Sequence, residues 1–391
     1  LCLKPGRLAL ILVMVFLIGY SRITEAEVVL STDVSIEERY ESNFLREPKG
    51  SEVDDYVTIL HPGLTLDGNW KKFSLTGSYV ADVVKPAVQT NFDHTEHALS
   101  LDMKASPWSK TSINMTERAT FSPNAFDIIT ESKTNVLTQY TDVFFNGIYG
   151  KLSHNFTDSS SMTLFGEYTL EDFSEPSLVD TITYTGGIDI SYSIIPKWTV
   201  FSNYKFTRYS FDRGSGGSTE VHLANVGIRG DFSKSLSIEL SGGAAYTPGV
   251  SSSLDISKNT KWVAEAQLVK RFRKSEFTLK YERGISNAGG ISSELSVNDT
   301  VSLGGHAELT DYLGVSFTGI YGKQRSAPSR ILDTQYYSAE LSGDWRLSRH
   351  FSLSGGYSHY AQLASGVKGA QDVDGNIVFI KLAVLIYENR L

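Results

Sequence analysis

Imidazole and carboxylate groups carry acid–base and metal chemistry, so the eight histidines and their acidic neighbours come first. His94 and His97 form an HxxH spacing. Residues three apart on a strand point to opposite faces, so these two cannot converge on one metal and read as solvated histidines at a loop edge. Asp372, Asp374, Gly375 and Asn376 have the composition of a calcium loop. However, glycine stands at the fourth place of that loop, and Ala383 occupies the twelfth, where a Glu is needed. Asp374-Gly375 is instead a turn dipeptide, expected at the tip of the last hairpin loop. Gly214-Ser215-Gly216-Gly217 is a flexible loop, because no helix follows it to receive a phosphate. His222, His306 and His359 lie well inside strands, each alone. No Ser/His/acid grouping stands out, so the chain reads as non-enzymatic, without catalytic residue, metal site or cofactor.

The elements that would position such groups are strands. Period-2 alternation recurs from about residue 28 onward, and helical spacing does not hold over any long window. Ile182, Tyr184, Gly186, Ile188, Ile190 and Tyr192 alternate with Thr183, Thr185, Gly187, Asp189 and Ser191. Trp262, Ala264, Ala266 and Leu268 alternate with Val263, Glu265, Gln267 and Val269. Such runs predict about 18 strands, within a range of 16–20. Their expected centres are residues 35, 60, 76, 99, 116, 147, 166, 187, 204, 226, 241, 266, 279, 303, 317, 341, 355 and 381.

Connections alternate in length. Short turns are expected near Asp67–Asn69, Pro107–Lys110, Asn155–Ser160, Ile195–Lys197, Phe232–Ser235, Arg273–Ser275, Thr310–Tyr312 and Leu347–His350, with long polar loops between them. Outer-membrane barrels sort their connections in this way, and soluble sandwiches have no reason to. The chain has 20 Tyr, 20 Phe and 33 Gly, and its mean hydropathy is only −0.15. Strands that show every second residue to lipid allow this, whereas membrane helices, at about 20 apolar residues each, do not. The expected fold is all-β: a closed, antiparallel, transmembrane up-and-down barrel, since each backbone group left unpaired in lipid costs several kcal/mol.

Alternation also assigns the two faces. The expected lumen lining is Lys205, Arg229, Glu239, Glu265, Arg271, Lys280, Glu282, His306, Glu308, Glu340, Asp344 and Arg346. Charges of both signs are interspersed there, which implies weak ion selectivity. Trp70, Trp108, Trp198, Phe232, Tyr312, Trp345 and Phe351 lie beside short turns and would form an aromatic girdle at the periplasmic side. In the last strand, Tyr387 and Leu391 read as outward, in phase with Phe379, Ala383 and Leu385.

Lys4 and Arg7 precede an apolar run from Leu8 to Ile18, and Thr24-Glu25-Ala26 offers a small-residue cleavage site. Residues 1–26 are therefore expected to be a secretory signal peptide, and 27–391 a single barrel domain. The one cysteine is Cys2. A mature chain without thiols excludes thiol catalysis, CxxCH haem attachment and cysteine-ligated zinc. The formal charge is −8. Removing residues 1–26 takes away three basic residues and one acidic residue, so the remainder is more acidic still and ill suited to nucleic acid.

The stretch Ser35-Ile36-Glu37-Glu38-Arg39-Tyr40-Glu41-Ser42-Asn43-Phe44-Leu45-Arg46, then Asp54-Asp55-Tyr56-Val57-Thr58 and His61-Pro62-Gly63-Leu64-Thr65-Leu66, resembles an outer-membrane β-barrel porin family of Gram-negative bacteria. That family is often associated with exopolysaccharide export and exosortase loci. The resemblance implies an outer-membrane location and a role in passing or anchoring secreted polymer, with no catalytic residues to carry over. The chain departs from many such barrels in ending on Leu391 rather than an aromatic residue. The leading expectation is thus a porin-like channel passing solutes or taking part in exopolysaccharide export. One alternative is a structural sheath around a periplasmic or secreted partner such as a multihaem cytochrome, and a second is a barrel-embedded hydrolase. The expected partners are outer-membrane lipid, the barrel-insertion machinery, and a polysaccharide or periplasmic partner.

Overall fold

The structure, a computed structural model, describes residues 27–123, 141–176, 178–212, 217–248, 260–287, 295–327, 333–365 and 372–390. The expected signal peptide, Leu391 and most of the Gly214–Gly217 stretch lie outside them. The alternating segments form β1 (Glu27–Glu41), β2 (Asp55–Trp70), β3 (Phe73–Pro86), β4 (His94–Trp108), β5 (Thr111–Ser122) and β6 (Val143–Asn155). They continue as β7 (Ser160–Phe173), β8 (Thr181–Ile195), β9 (Trp198–Phe211), β10 (Gly217–Ser233), β11 (Leu236–Tyr246) and β12 (Thr260–Arg271). The last six are β13 (Ser275–Asn287), β14 (Leu295–Glu308), β15 (Leu313–Ala327), β16 (Asp333–Arg346), β17 (Phe351–Ser365) and β18 (Val373–Arg390). Every expected centre falls within one strand. Each strand pairs antiparallel with its predecessor, and β1 also pairs with β18, from Val29↔Arg390 to Glu41↔Ile377. The 18-stranded sheet therefore has no free edge, which is what a backbone surrounded by hydrocarbon requires.

Alternation sorts the side chains. Ile190, Tyr192, Val226 and Leu240 are bare on the outside, while their neighbours Asp189, Ser191, Asn225, Glu239 and Ser241 line an internal cavity. The strands run from 11 to 18 residues, and about 9–11 tilted residues cross a bilayer, so most of them project beyond it.

Three expectations need correction. The β2–β3 turn is not at Asp67–Asn69. Those residues pair with Thr76, Leu75 and Ser74, and the reversal follows Trp70↔Phe73. Gly68 has the look of a turn residue, but glycine is needed there for a different reason. The Trp70 indole lies over it, and any Cβ would collide with the ring. Asp374-Gly375 is likewise inside β18, with Gly375 opposite Tyr360. The Tyr360 ring occupies the space a Cβ would need at Gly375, so close approach rather than a turn selects glycine. The phase of β18 is also reversed over most of its length. Val378, Ile380, Leu382 and Ile386 are the exposed residues, and Phe379 turns inward with Lys381. Tyr387 is exposed as expected, and it lies beyond the register shift that β1 makes between Thr32 and Asp33. Residues 382–387 are apolar on both faces, so periodicity alone could not choose. Lys381, opposite Glu37 on the lumen side, does.

Buried side chains concentrate at the long-loop end. Asn43, Asp55, Ser122, Thr181, Gln324 and Gln362 are among the fully buried ones, and each lies near that end of its strand or in the loop beyond it. The segment after β1 folds into the mouth. There Asn43 Nδ2 donates to the carbonyls of Glu47 at 2.8 Å and Asp374 at 3.0 Å, and the Arg46 guanidinium lies 4.1 Å from the Tyr360 ring centroid. The Asp55 carboxylate accepts the backbone N–H groups of Ala87, Val88 and Gln89, which pins the next loop.

Candidate functional site

The candidate site is the lumen. A cavity of about 860 Å³ is lined mainly by inward residues of β6 through β16. Among its charged residues Asp189, Glu239, Glu265 and Glu282 face Lys151, Lys205, Arg229 and Lys280. The strand ladder sets the spacing. Arg229 is directly opposite Glu239, and Glu265 is opposite Glu282. Lys280 Nζ lies 3.0 Å from Glu265 and 2.8 Å from Glu282, so one ammonium separates two carboxylates that would otherwise repel across the rungs. Asn203 donates to Asp189. The wall is therefore a lattice of paired charges rather than a field of one sign.

Of the twelve lumen residues expected from sequence, Lys205, Arg229, Glu239, Glu265, Lys280 and Glu282 meet in this cavity. The other six do not line it. Arg271, Glu308 and Arg346 close the short-turn ends of their strands. Arg271 donates to Glu276 at 2.7 Å and to Ser237 at 3.2 Å, and His306 Nδ1 lies 3.0 Å from Ser316 Oγ. Glu340 is opposite Thr318, and Asp344 is opposite Gly314, on the same inward phase as Ile320. The seven aromatic residues of the expected girdle all stand at the short-turn margin. Phe232 is 70% exposed and Trp108 69%. At that margin Lys274 Nζ donates to Asp311 Oδ1 at 3.0 Å, which holds the ammonium above its ordinary pKa.

Toward the long-loop end the bore narrows. Asn287 Nδ2, on β13, donates to Glu171 Oε2, on β7, at 2.8 Å. The Tyr209 hydroxyl, on β9, donates to the Ile285 carbonyl, on β13, at 3.5 Å. Both bonds join strands that are not neighbours in the sheet, so they span the bore. Along the adjoining wall, Gln324 Nε2 donates to Ser296 Oγ at 2.6 Å, and Ser296 Oγ to the Asn287 carbonyl at 3.1 Å. Beside them Tyr209, Phe211, Val221, Ala245, Val263 and Leu295 form a buried apolar cluster.

Sequence reasoning missed this constriction, and it missed a second lattice on β1–β3. His61 Nδ1 lies 2.6 Å from Asp82 Oδ1, and its Nε2 is 3.6 Å from Glu37 Oε2. Arg39 bonds both Glu37 and Glu41 at 2.8 Å and 3.1 Å. The signal was present: Glu37, Arg39 and Glu41 share one phase of a strand. The two residues of HxxH part as expected, His94 toward Glu96 and His97 toward the Tyr79 ring and hydroxyl. Among the described residues no three His, Cys, Asp or Glu side chains converge on a metal-sized point.

Comparison with solved structures returns matches of low identity that span nearly the whole chain. OpdO of Pseudomonas aeruginosa is 12% identical with a TM-score of 0.49, over 93% of this chain and 98% of its own. OccK8 (OprE) of Pseudomonas aeruginosa is 11% identical with a TM-score of 0.46, over 94% and 99%. OccAB3 of Acinetobacter baumannii is 9% identical with a TM-score of 0.46, over 94% and 100%. No curated protein sequence matches. A family match covers residues 27–385 and, with the closed barrel, places the chain in the bacterial outer membrane as a porin-like channel. By that match the chain belongs to the family described as Putative beta-barrel porin 2.

Proposed function

We propose that the barrel is a passive channel for small polar solutes with little preference for the sign of their charge. The observation that carries this reading is the cavity wall, where Lys280 between Glu265 and Glu282, and Arg229 opposite Glu239, offer both signs to a passing solute within a few ångströms. Charge rings of one sign make a pore selective, whereas interleaved signs leave it nearly neutral. The Glu171–Asn287 bridge supports solutes rather than polymer, because a polysaccharide exporter or a sheath around a folded partner needs a clear bore along its whole length. The family supports a channel over a barrel-embedded hydrolase.

The test is planar-bilayer recording of the purified full-length protein. Small, steady unit conductances with a reversal potential near zero in a salt gradient are expected. No conductance at all would overturn the proposal, and copurification of a haem-staining partner would favour the sheath.

A further inference from the structure

The outer wall has one interrupted seam. Pairing between β12 and β13 stops at Ala264↔Arg283, although β12 continues to Thr260 and β13 to Asn287. Beyond that pair β13 leans into the lumen, where Ile285 packs on the buried apolar cluster and Asn287 reaches Glu171. The internal cavity touches both margins of the seam, at Val263 and Ala264 on one side and Arg283, Gly284 and Ile285 on the other.

From outside, a second concavity meets the same place. An apolar groove of about 790 Å³ runs over the lipid-facing surface of β8 to β12. It follows one cross-strand row, Ile190 opposite Ser202, then Val226, Gly242 and Ala264, and past the groove the same row continues to Arg283 on β13. Five strand spacings make that row about 24 Å long. Ser202, Gly242 and Ala264 have small side chains and lower the floor. The next row, Tyr192, Val200, Ile228 and Leu240, forms a bank along it.

Beyond the groove the row carries charge. The Arg283 guanidinium lies 4.0 Å from the Trp262 ring centroid and donates through Nη1 to both oxygens of Asp299 at 2.8 Å. The Tyr281 hydroxyl donates to the same carboxylate at 3.0 Å. Arg283 Nε is buried without a hydrogen-bond partner. Lys323 stands opposite Asp299 in the same row. Two cations and one carboxylate leave this patch of the outer wall net positive, a charge that an anionic headgroup relieves.

We propose that the groove and the Arg283 cluster bind one anionic membrane lipid, its acyl chain along Ser202, Gly242 and Ala264 and its phosphate headgroup at Arg283 and Lys323. The site stands whether or not the lumen conducts.

The test uses the full-length protein reconstituted in phosphatidylcholine vesicles doped with acyl-brominated phosphatidylglycerol or, separately, acyl-brominated phosphatidylcholine. Quenching of Trp262 is isolated by subtracting the signal of Trp262→Phe. Brominated phosphatidylglycerol is expected to compete for the site about fivefold better than brominated phosphatidylcholine, the effect of one basic residue near an anionic lipid. Arg283→Gln should bring that ratio close to one, and Gly242→Leu, which fills the groove, should lower quenching by both lipids. Folding of each variant is checked by heat-modifiable migration on gels, and Lys323→Gln replaces Arg283→Gln if the latter fails to fold. Equal quenching of the wild-type protein by the two lipids, or a preference that survives the charge and groove substitutions, would overturn the proposal.

Discussion

Asn287 and Glu171 are 116 residues apart in the chain, yet the amide nitrogen of one donates to the carboxylate of the other at 2.8 Å inside the bore. The two residues are 4% and 6% exposed, so the carboxylate has exchanged much of its hydration for this bond. A bridge between β7 and β13, six strands apart around the wall, crosses part of the lumen and narrows the passage there.

Removing either partner should widen that passage and weaken the barrel together. Glu171→Ala and Asn287→Ala are each expected to raise unit conductance in planar bilayers. Glu171→Ala should also cost about 1.5–3 kcal/mol in urea unfolding, the value of a buried hydrogen bond to a charged group. Unchanged conductance in both variants would mean that the bridge lies off the permeation path.

Asn43 is one of the side chains that hold the in-turned segment after β1. Asn43 is fully buried; it donates to two carbonyls and accepts the N–H of Glu47 at 2.9 Å. Asn43→Ala should release the segment at a cost of about 1–3 kcal/mol. Trypsin added to intact cells is then expected to cut after Arg46 or Lys49 in the variant and to spare the wild-type protein. Equal cleavage of both would show that the segment is not held by Asn43.

Lys280 keeps Glu265 and Glu282 apart in charge terms. Lys280→Met leaves two carboxylates directly opposite one another and should move the reversal potential in a KCl gradient toward cation selectivity. These groups are partly exposed to lumen water, so stability should change by less than about 1 kcal/mol. A reversal potential that does not move would remove this lattice from the conduction path.

Gly68 lies beneath the Trp70 indole, whose ring centroid is 5.1 Å from that of Phe73. Gly68→Val must push the indole away, an overpacking change expected to cost about 1–3 kcal/mol. A red-shifted tryptophan emission and a lower temperature for the heat-modifiable transition would record it. A variant as stable as the wild type would show that the indole finds an equally good seat.

The strand count and the closure of the barrel were legible because lipid imposes a local rule. Every second residue must tolerate hydrocarbon, and every backbone group must find a partner. That rule writes itself into two-residue alternation, as in Ile188, Ile190 and Tyr192 against Asp189 and Ser191, and no knowledge of distant contacts is needed to read it. Half of the lumen charges that alternation selects, Lys205 and Glu265 among them, also meet in one cavity.

Alternation is silent where both faces are alike or where a contact is remote. Residues 382–387 are apolar on either side, so only the opposition of Lys381 to Glu37 sets the inward face of β18. Asp374-Gly375 has the letters of a turn but lies flat beneath Tyr360. The seam after Ala264↔Arg283, the bridge from Asn287 to Glu171 and the placing of His61 between Glu37 and Asp82 are unions of separate segments. Sequence by itself determined that this chain is a ring of strands with a polar interior, since that follows from the solvent on each side of every residue. The tertiary structure alone decided how wide the ring stands open, because that depends on which side chains meet across it.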